Sequence, residues 1–374
     1  MPRQDYYTIK EIFHQPKMWM DTYQIVLSMK EQIIEFFKNN GIDKKSEIIF
    51  TGAGTSAFVA DAAECVWMRG GYAGAKSVPT TDIVSAPEYF LAKSNKLFVS
   101  FGRSGDSPES VAAYNVARKF CDDASHLIIT CNAKGYLANV AEPGKDLVIV
   151  LPEGTNDVGL AMTSSFSSML MASILCMYID NIEEQKDKVA AAAAFAENFL
   201  KDDVIEKIKA ATTKNIKRAV FLGSGPLKGI SCETHLKLQE LTDGQIMCSF
   251  DSFVGLRHGP KAVINEETLV VYLLSDEPYI RQYELDLIDQ VDKENHPAVQ
   301  IIVSTTPSGV VENIDFEVNA PAPMPENDCR FVPYVLIGQL LGYHFSLSKG
   351  LNPDTPSVRG TISRVVKGVT IYEY

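Results

Sequence analysis

Ile48-Ile-Phe-Thr-Gly-Ala-Gly-Thr-Ser-Ala57 is a short run of β-forming apolar residues that stops on two glycines and passes into a helical pattern. A run of this kind reads as a buried parallel strand delivering a loop to a helix N-terminus. The design recurs at Ala219-Val-Phe-Leu-Gly-Ser-Gly-Pro-Leu-Lys-Gly229. Between the two lies Leu97-Phe-Val-Ser-Phe-Gly-Arg-Ser-Gly-Asp-Ser-Pro108, whose small residues free backbone N–H groups while Arg103, Ser104 and Ser107 add donors. Such loops bind anions, and phosphate is the natural guest.

Working outward, β-like runs at 48–51, 78–84, 96–101, 127–131 and 147–150 alternate with amphipathic stretches, which predicts a doubly wound parallel sheet. A second series at 218–222, 246–250, 268–274, 299–304 and 314–318 has similar spacing. The fold class expected is therefore α/β, two tandem doubly wound domains. Thr8-Ile-Lys-Glu11 has a capping-box pattern, and helical spacing continues from Met18 to Phe37. The expected division is a helical arm over 1–45, a first domain over 46–190, a second over 210–350 and an irregular tail over 351–374.

With 374 residues, 46% of them hydrophobic, the chain has material for two sizeable cores. Its formal charge of -12 argues against nucleic acid or an anionic membrane as partner, because the attraction that drives such binding is absent. No apolar stretch is long enough to span a bilayer, and the first residues carry no apolar signal core, so a cytoplasmic protein is expected. The seven scattered cysteines include no Cys-x-x-Cys pair and read as buried free thiols, with neither disulfides nor structural zinc.

Gly52-Ala-Gly54-Thr-Ser-Ala57 nearly fits a dinucleotide fingerprint, but the acidic residue that motif wants, with Asp82 as candidate, comes too late. Three serine-rich loops suit a single phosphate better than a pyrophosphate and ribose. At this point the chain resembles the sugar isomerase (SIS) domain family, whose members bind phosphosugars in the serine and threonine loops of two tandem domains. The resemblance covers nearly the whole chain. Glu11-Ile-Phe-His-Gln-Pro16 looks like the start of the isomerase half of glucosamine-6-phosphate synthase. Phe101-Gly-Arg-Ser-Gly-Asp-Ser-Pro-Glu-Ser110 with Leu256-Arg-His-Gly-Pro-Lys261 resembles the galactosamine-6-phosphate deaminase/isomerase branch, also called tagatose-6-phosphate ketose/aldose isomerases.

The resemblance implies that Thr55, Ser56, Ser104 and Ser107 hold the substrate phosphate. Where the synthase has Ser-Gln-Ser-Gly-Glu-Thr this chain has Gly102-Arg-Ser-Gly-Asp-Ser107, so one serine is lost and Arg103 is expected to compensate. Glu233, Lys237 and Glu240 lie at i, i+4 and i+7, hence on one helix face. For most such runs a solvated salt-bridge face is the simple reading. Likeness to the synthase run Leu-Lys-Leu-Lys-Glu instead implies that Glu240 moves a proton between sugar carbons 1 and 2. By the same likeness His258 opens the sugar ring, working from a neighbouring subunit, and Lys367 forms an imine with the ketose.

Because the chain enters the isomerase-like region with no glutaminase domain ahead of it, a catabolic direction is expected. Galactosamine 6-phosphate would yield tagatose 6-phosphate and ammonia, with no metal, nucleotide or redox cofactor and as a homodimer or larger homo-oligomer. The alternatives are glucosamine 6-phosphate as substrate, a plain aldose/ketose isomerase using the same Glu240 and His258, and a phosphosugar-sensing regulator.

Overall fold

The computed structural model describes residues 6–309, 312–366 and 368–374. The chain divides into two compact units, one comprising 17–157, 162–189 and 362–374, the other 6–16, 158–161 and 190–361. Among the described residues no single helix is long and apolar enough to cross a membrane.

The first unit is built on β1 (Ile48–Thr51), β2 (Ala75–Ser77), β3 (Leu97–Gly102), β4 (Ser125–Thr130) and β5 (Asp146–Val150). All are parallel, in the order β2-β1-β3-β4-β5. Thr51 lies opposite Ser100, so β1 and β3 end side by side. Residues of β1, β3 and β4 are buried throughout, as helices on both faces of a parallel sheet require. On one face Phe50 meets Trp67 at 5.3 Å between ring centroids, and the Trp67 indole N–H donates to the Ser173 carbonyl at 3.2 Å.

The second unit repeats the plan with β6 (Arg218–Leu222), β7 (Met247–Asp251), β8 (Thr268–Leu273), β9 (Val299–Ser304) and β10 (Phe316–Asn319). The parallel order β10-β9-β8-β6-β7 is that of the first sheet, read from its other edge. In each sheet the strand order reverses beside the first strand, and ligands bind at the carboxyl ends of the strands flanking such a point. The turns there match closely. Gly54 has φ 57° and ψ -126°, and Gly225 has φ 55° and ψ -129°, a region that only glycine enters freely. The two fold repeats expected from the glycine-serine runs are thus both present.

Several local expectations differ. The run 78–84 is not a strand: β2 stops at Ser77, and Thr80–Ser85 is helical. Pro79 lacks an N–H for the ladder and sits at the helix N-cap, where its fixed φ is harmless. The helical stretch from Met18 to Phe37 is two helices, Gln15–Ser28 and Lys30–Asn39, parted at Met29. The capping box does not form, because Thr8 lies inside the Tyr7–Phe13 helix and gives its hydroxyl to Asp354 Oδ1 at 2.7 Å, while the Glu11 carboxylate accepts from the Val158 N–H.

Residues 1–45 were expected to form one arm, but their described part is divided. The Tyr7–Phe13 helix has its first N–H groups capped by Asp354 and belongs with the second sheet. Residues 17–45 belong with the first, where the Trp19 indole donates to Ser167 Oγ at 2.9 Å. The tail is likewise split at 361/362. All seven cysteines are free thiols, and burial pushes those of Cys131 and Cys176 up to about 12.

Candidate active site

At the reversal point of the first sheet, the turns after β1 and β3 enclose a cavity lined by Gly54, Ser56, Arg103, Ser104, Ser107 and Ser110. The β1 turn is tight: a Cβ on Gly52 would lie 2.5 Å from Ser56 Cβ, so glycine lets the helix start directly over the strand end. Thr55 and Ser56 open the Thr55–Arg69 helix, and consecutive helical side chains point about 100° apart. Ser56 faces the cavity; Thr55, buried on the same turn, is not part of its lining.

The second turn is braced from the segment that follows β4. Asn132 donates its amide to the Ser104 carbonyl at 2.9 Å, and Asp106 Oδ1 accepts the Tyr136 N–H at 2.8 Å. Ser104 Oγ accepts the Asp106 N–H at 3.2 Å, which aligns the hydroxyl. Ser107 caps the Pro108–Phe120 helix by accepting the Ser110 N–H, and its own hydroxyl donates to Ser110 Oγ at 2.6 Å. The cavity therefore combines hydroxyls, a guanidinium and a helix N-terminus, the donor set an oxyanion takes.

Sequence reasoning missed five residues of this cavity. Ser110 was read only as part of a motif, although its spacing of three from Ser107 puts the two on one side of a helical turn. Met162 comes from a distant chain position and gave no signal, while Arg364, Val365 and Val366 drew notice only as neighbours of Lys367. Arg103, expected to face phosphate, lines the cavity but also donates to the Arg364 carbonyl.

In the second unit, Glu233, Lys237 and Glu240 lie on the Pro226–Leu241 helix. The face that carries them is not a solvated one. Glu233 and Lys237 are wholly buried, while the Glu240 side chain keeps 18% of its surface exposed. Lys237 Nζ lies 3.3 Å from Glu233 Oε1 and donates to Glu240 Oε2 at 2.8 Å. Burial would lower the Lys237 pKa, but the two carboxylates outweigh it and hold the ammonium above its usual value.

The backbone here is set by the Leu336–Ser348 helix, which packs against the Pro226–Leu241 helix. A Cβ on Gly338 would fall 2.5 Å from Thr234 Cβ, and one on Gly342 would fall 2.7 Å from the Lys237 carbonyl oxygen. Glycines at both positions permit the close approach that seals Lys237 from water.

His258 is exposed in the loop after the Phe253–Leu256 helix, its backbone N–H on the Gly255 carbonyl at 3.0 Å. Nearby on edge strand β7 and this helix, Met247, Phe250 and Val254 are exposed apolar residues. Lys367 lies outside the described residues. The structure thus gathers Ser56, Arg103, Ser104 and Ser107 in one unit and Glu233, Lys237 and Glu240 in the other.

Residues 41–179 match the SIS domain family. The chain is 37% identical to an AgaS protein of Streptomyces coelicolor over 98% of this chain and 95% of that one. It is 35% identical to D-galactosamine-6-phosphate deaminase AgaS of Escherichia coli, over 98% of this chain and 96% of its relative. The chain belongs to the AgaS family of SIS-domain proteins. The crystal structure of tagatose-6-phosphate ketose/aldose isomerase from Escherichia coli matches it with a TM-score of 0.87 at 33% identity, covering 99% of this chain and 97% of the other. The family match falls on the first sheet; the second shares its strand order.

Proposed function

We propose that the chain deaminates and isomerises galactosamine 6-phosphate, giving tagatose 6-phosphate and ammonia. The observation that carries this reading is the buried Glu233–Lys237–Glu240 array, in which the partly exposed Glu240 carboxylate is held by an ammonium. Likeness to a D-galactosamine-6-phosphate deaminase, 35% identical over 98% of the chain, supports the choice of substrate.

The serine cavity takes the phosphate. Once the sugar is open, Glu240 removes the proton from carbon 2, the aldehyde oxygen becomes a hydroxyl, and an enaminol forms. Glu240 then returns the proton to carbon 1. The product is a ketimine at carbon 2, to which water adds and from which ammonia leaves. The aldehyde takes up the electron pair when carbon 2 loses its proton, its oxygen being protonated from solvent, and the nitrogen lone pair forms the C=N bond as carbon 1 is protonated, so the chain's own residues need only move protons.

His258 opens the ring, and its exposed loop serves the site of a second copy of the chain. Exposed apolar side chains along the adjoining edge strand support that assembly, since such edges are covered in stable proteins. A second reading, isomerisation of a ketose phosphate without loss of ammonia, is favoured by the Escherichia coli tagatose-6-phosphate ketose/aldose isomerase structure.

Incubation of the purified protein with galactosamine 6-phosphate, scored for ammonia and for ketose, tests the proposal. Equal amounts of both are expected, with glucosamine 6-phosphate the poorer substrate. Rapid conversion of tagatose 6-phosphate to its aldose, with no ammonia from either amino sugar, would sink the deaminase reading.

Phosphate capture has its own expected outcome. Charge-assisted hydrogen bonds contribute roughly 1.5 to 3 kcal/mol each, so Ser104→Ala raises KM about tenfold or more. Ser107→Ala does the same and also loses an N-cap, at a cost of about 1 kcal/mol in stability. Steady-state kinetics with thermal melting separates the two. Unchanged KM in both variants would place the phosphate elsewhere.

A further inference from the structure

After the Leu336–Ser348 helix the chain has no further helix or strand among the described residues, and most described side chains beyond 360 are exposed. Such a segment stays in place only through specific contacts. Residues 364–366 have them. Arg364 Nε donates to the Asp157 carbonyl at 2.8 Å, and its Nη2 donates to Asn156 Oδ1 at 2.7 Å.

The post that receives Arg364 is fixed. The buried Asp157 carboxylate accepts the N–H groups of Thr163, Ser164 and Ser165 and the hydroxyls of Thr163 and Ser165, at 2.6 to 3.1 Å, across the start of the Ser164–Met177 helix. From the other side, Arg103 Nη2 donates to the Arg364 carbonyl. Val365 and Val366 thereby wall the cavity that Ser56, Ser104 and Ser107 line.

We propose that Arg364 is a positioning residue that straps residues 364–366 across the phosphosugar cavity, with Arg103 tying the strap to the serine loop. This rests on the reading of that cavity as the phosphate site. A guanidinium offers five N–H donors in a fixed fork, so Arg103 serves a phosphate in the cavity and the strap carbonyl at once. An anion that steadies Arg103 steadies the strap, and a docked strap keeps Arg103 aimed at the anion. By linkage each raises the affinity of the other by one factor.

Hydrogen exchange of peptides covering 358–374, with and without inorganic phosphate, tests the coupling alongside steady-state kinetics of Arg364→Ala, Arg364→Lys and Ser104→Ala. Phosphate is expected to slow exchange of the strap in the parent and not in Arg364→Ala. That variant raises KM about tenfold through two lost charge-assisted bonds, with a smaller change in kcat and a melting temperature near the parent's. Lysine keeps the charge without the fork and falls between the two. Ser104→Ala loses phosphate affinity while the strap's resting exchange stays as in the parent. The strap is overturned if exchange ignores phosphate and Arg364→Ala keeps the parent KM while Ser104→Ala loses phosphate. If Ser104→Ala also keeps its affinity, the reading of the cavity fails, and the strap proposal with it.

Discussion

Glu240→Gln is expected to abolish exchange of the carbon 2 proton with solvent deuterium and to lower the rate of ammonia release by roughly 10² to 10⁴. The amide nearly matches the carboxylate in shape, and its oxygen can still accept from Lys237 Nζ, now 2.8 Å from Glu240 Oε2. What it loses is the capacity to take a proton. Binding of phosphosugar is expected to persist, because the cavity proposed to take the phosphate lies in the other unit. The measurement is NMR of substrate recovered from heavy water, together with a coupled ammonia assay. Parent-level exchange would remove Glu240 from the proton transfer and leave Glu233 or a water to be tried in its place.

The parts of the fold legible in the sequence were those set by local chemistry. All five expected strands of the second sheet and four of the first appear within two residues of their reading, because apolar runs bounded by glycine have few other solutions. The run at 78–84 reads as a strand but is helical from Thr80, because Pro79 has no N–H for the ladder and sits at the helix N-cap. The divided N-terminal helices could not be read, since Thr8 finds Asp354 across 346 positions and no local pattern encodes so distant a partner.

The site shows the same split. That Ser56, Ser104 and Ser107 share one cavity was legible, because residues that make tight turns at strand ends also bring their hydroxyls to one edge of the sheet. Arg364, Val365 and Val366 were not, because an irregular tail carries no periodicity. The acidic and basic face at 233–240 was visible by spacing, but its burial was not. That depends on Gly338 and Gly342, about a hundred residues later, which let a second helix close over Lys237.

Burial of that array makes Lys237→Met the substitution with the largest expected effect on stability. Removing the ammonium takes from the wholly buried Glu233 the cation 3.3 Å from its Oε1, with Glu240 close by. Breaking a buried ion pair typically costs about 3 to 5 kcal/mol, a large share of a total near 5 to 15. The pH dependence has a definite sign. In the parent, Lys237 has a raised pKa in the folded state, so its contribution is complete below its unfolded pKa and fades only as pH rises through the folded one. In the variant the buried carboxyl of Glu233 is expected to titrate above its unfolded value of about 4.3. Stability then falls as pH rises from there to the new folded pKa. The gap between variant and parent is thus widest near neutral pH and narrows toward pH 4. Thermal melting across that range checks the prediction, and Glu233→Gln added to Lys237→Met should recover much of the loss by removing a buried charge that has lost its lysine. A Lys237→Met protein that melts with the parent at pH 7 would show that the three groups are not energetically coupled, and that Glu240 is held by packing alone.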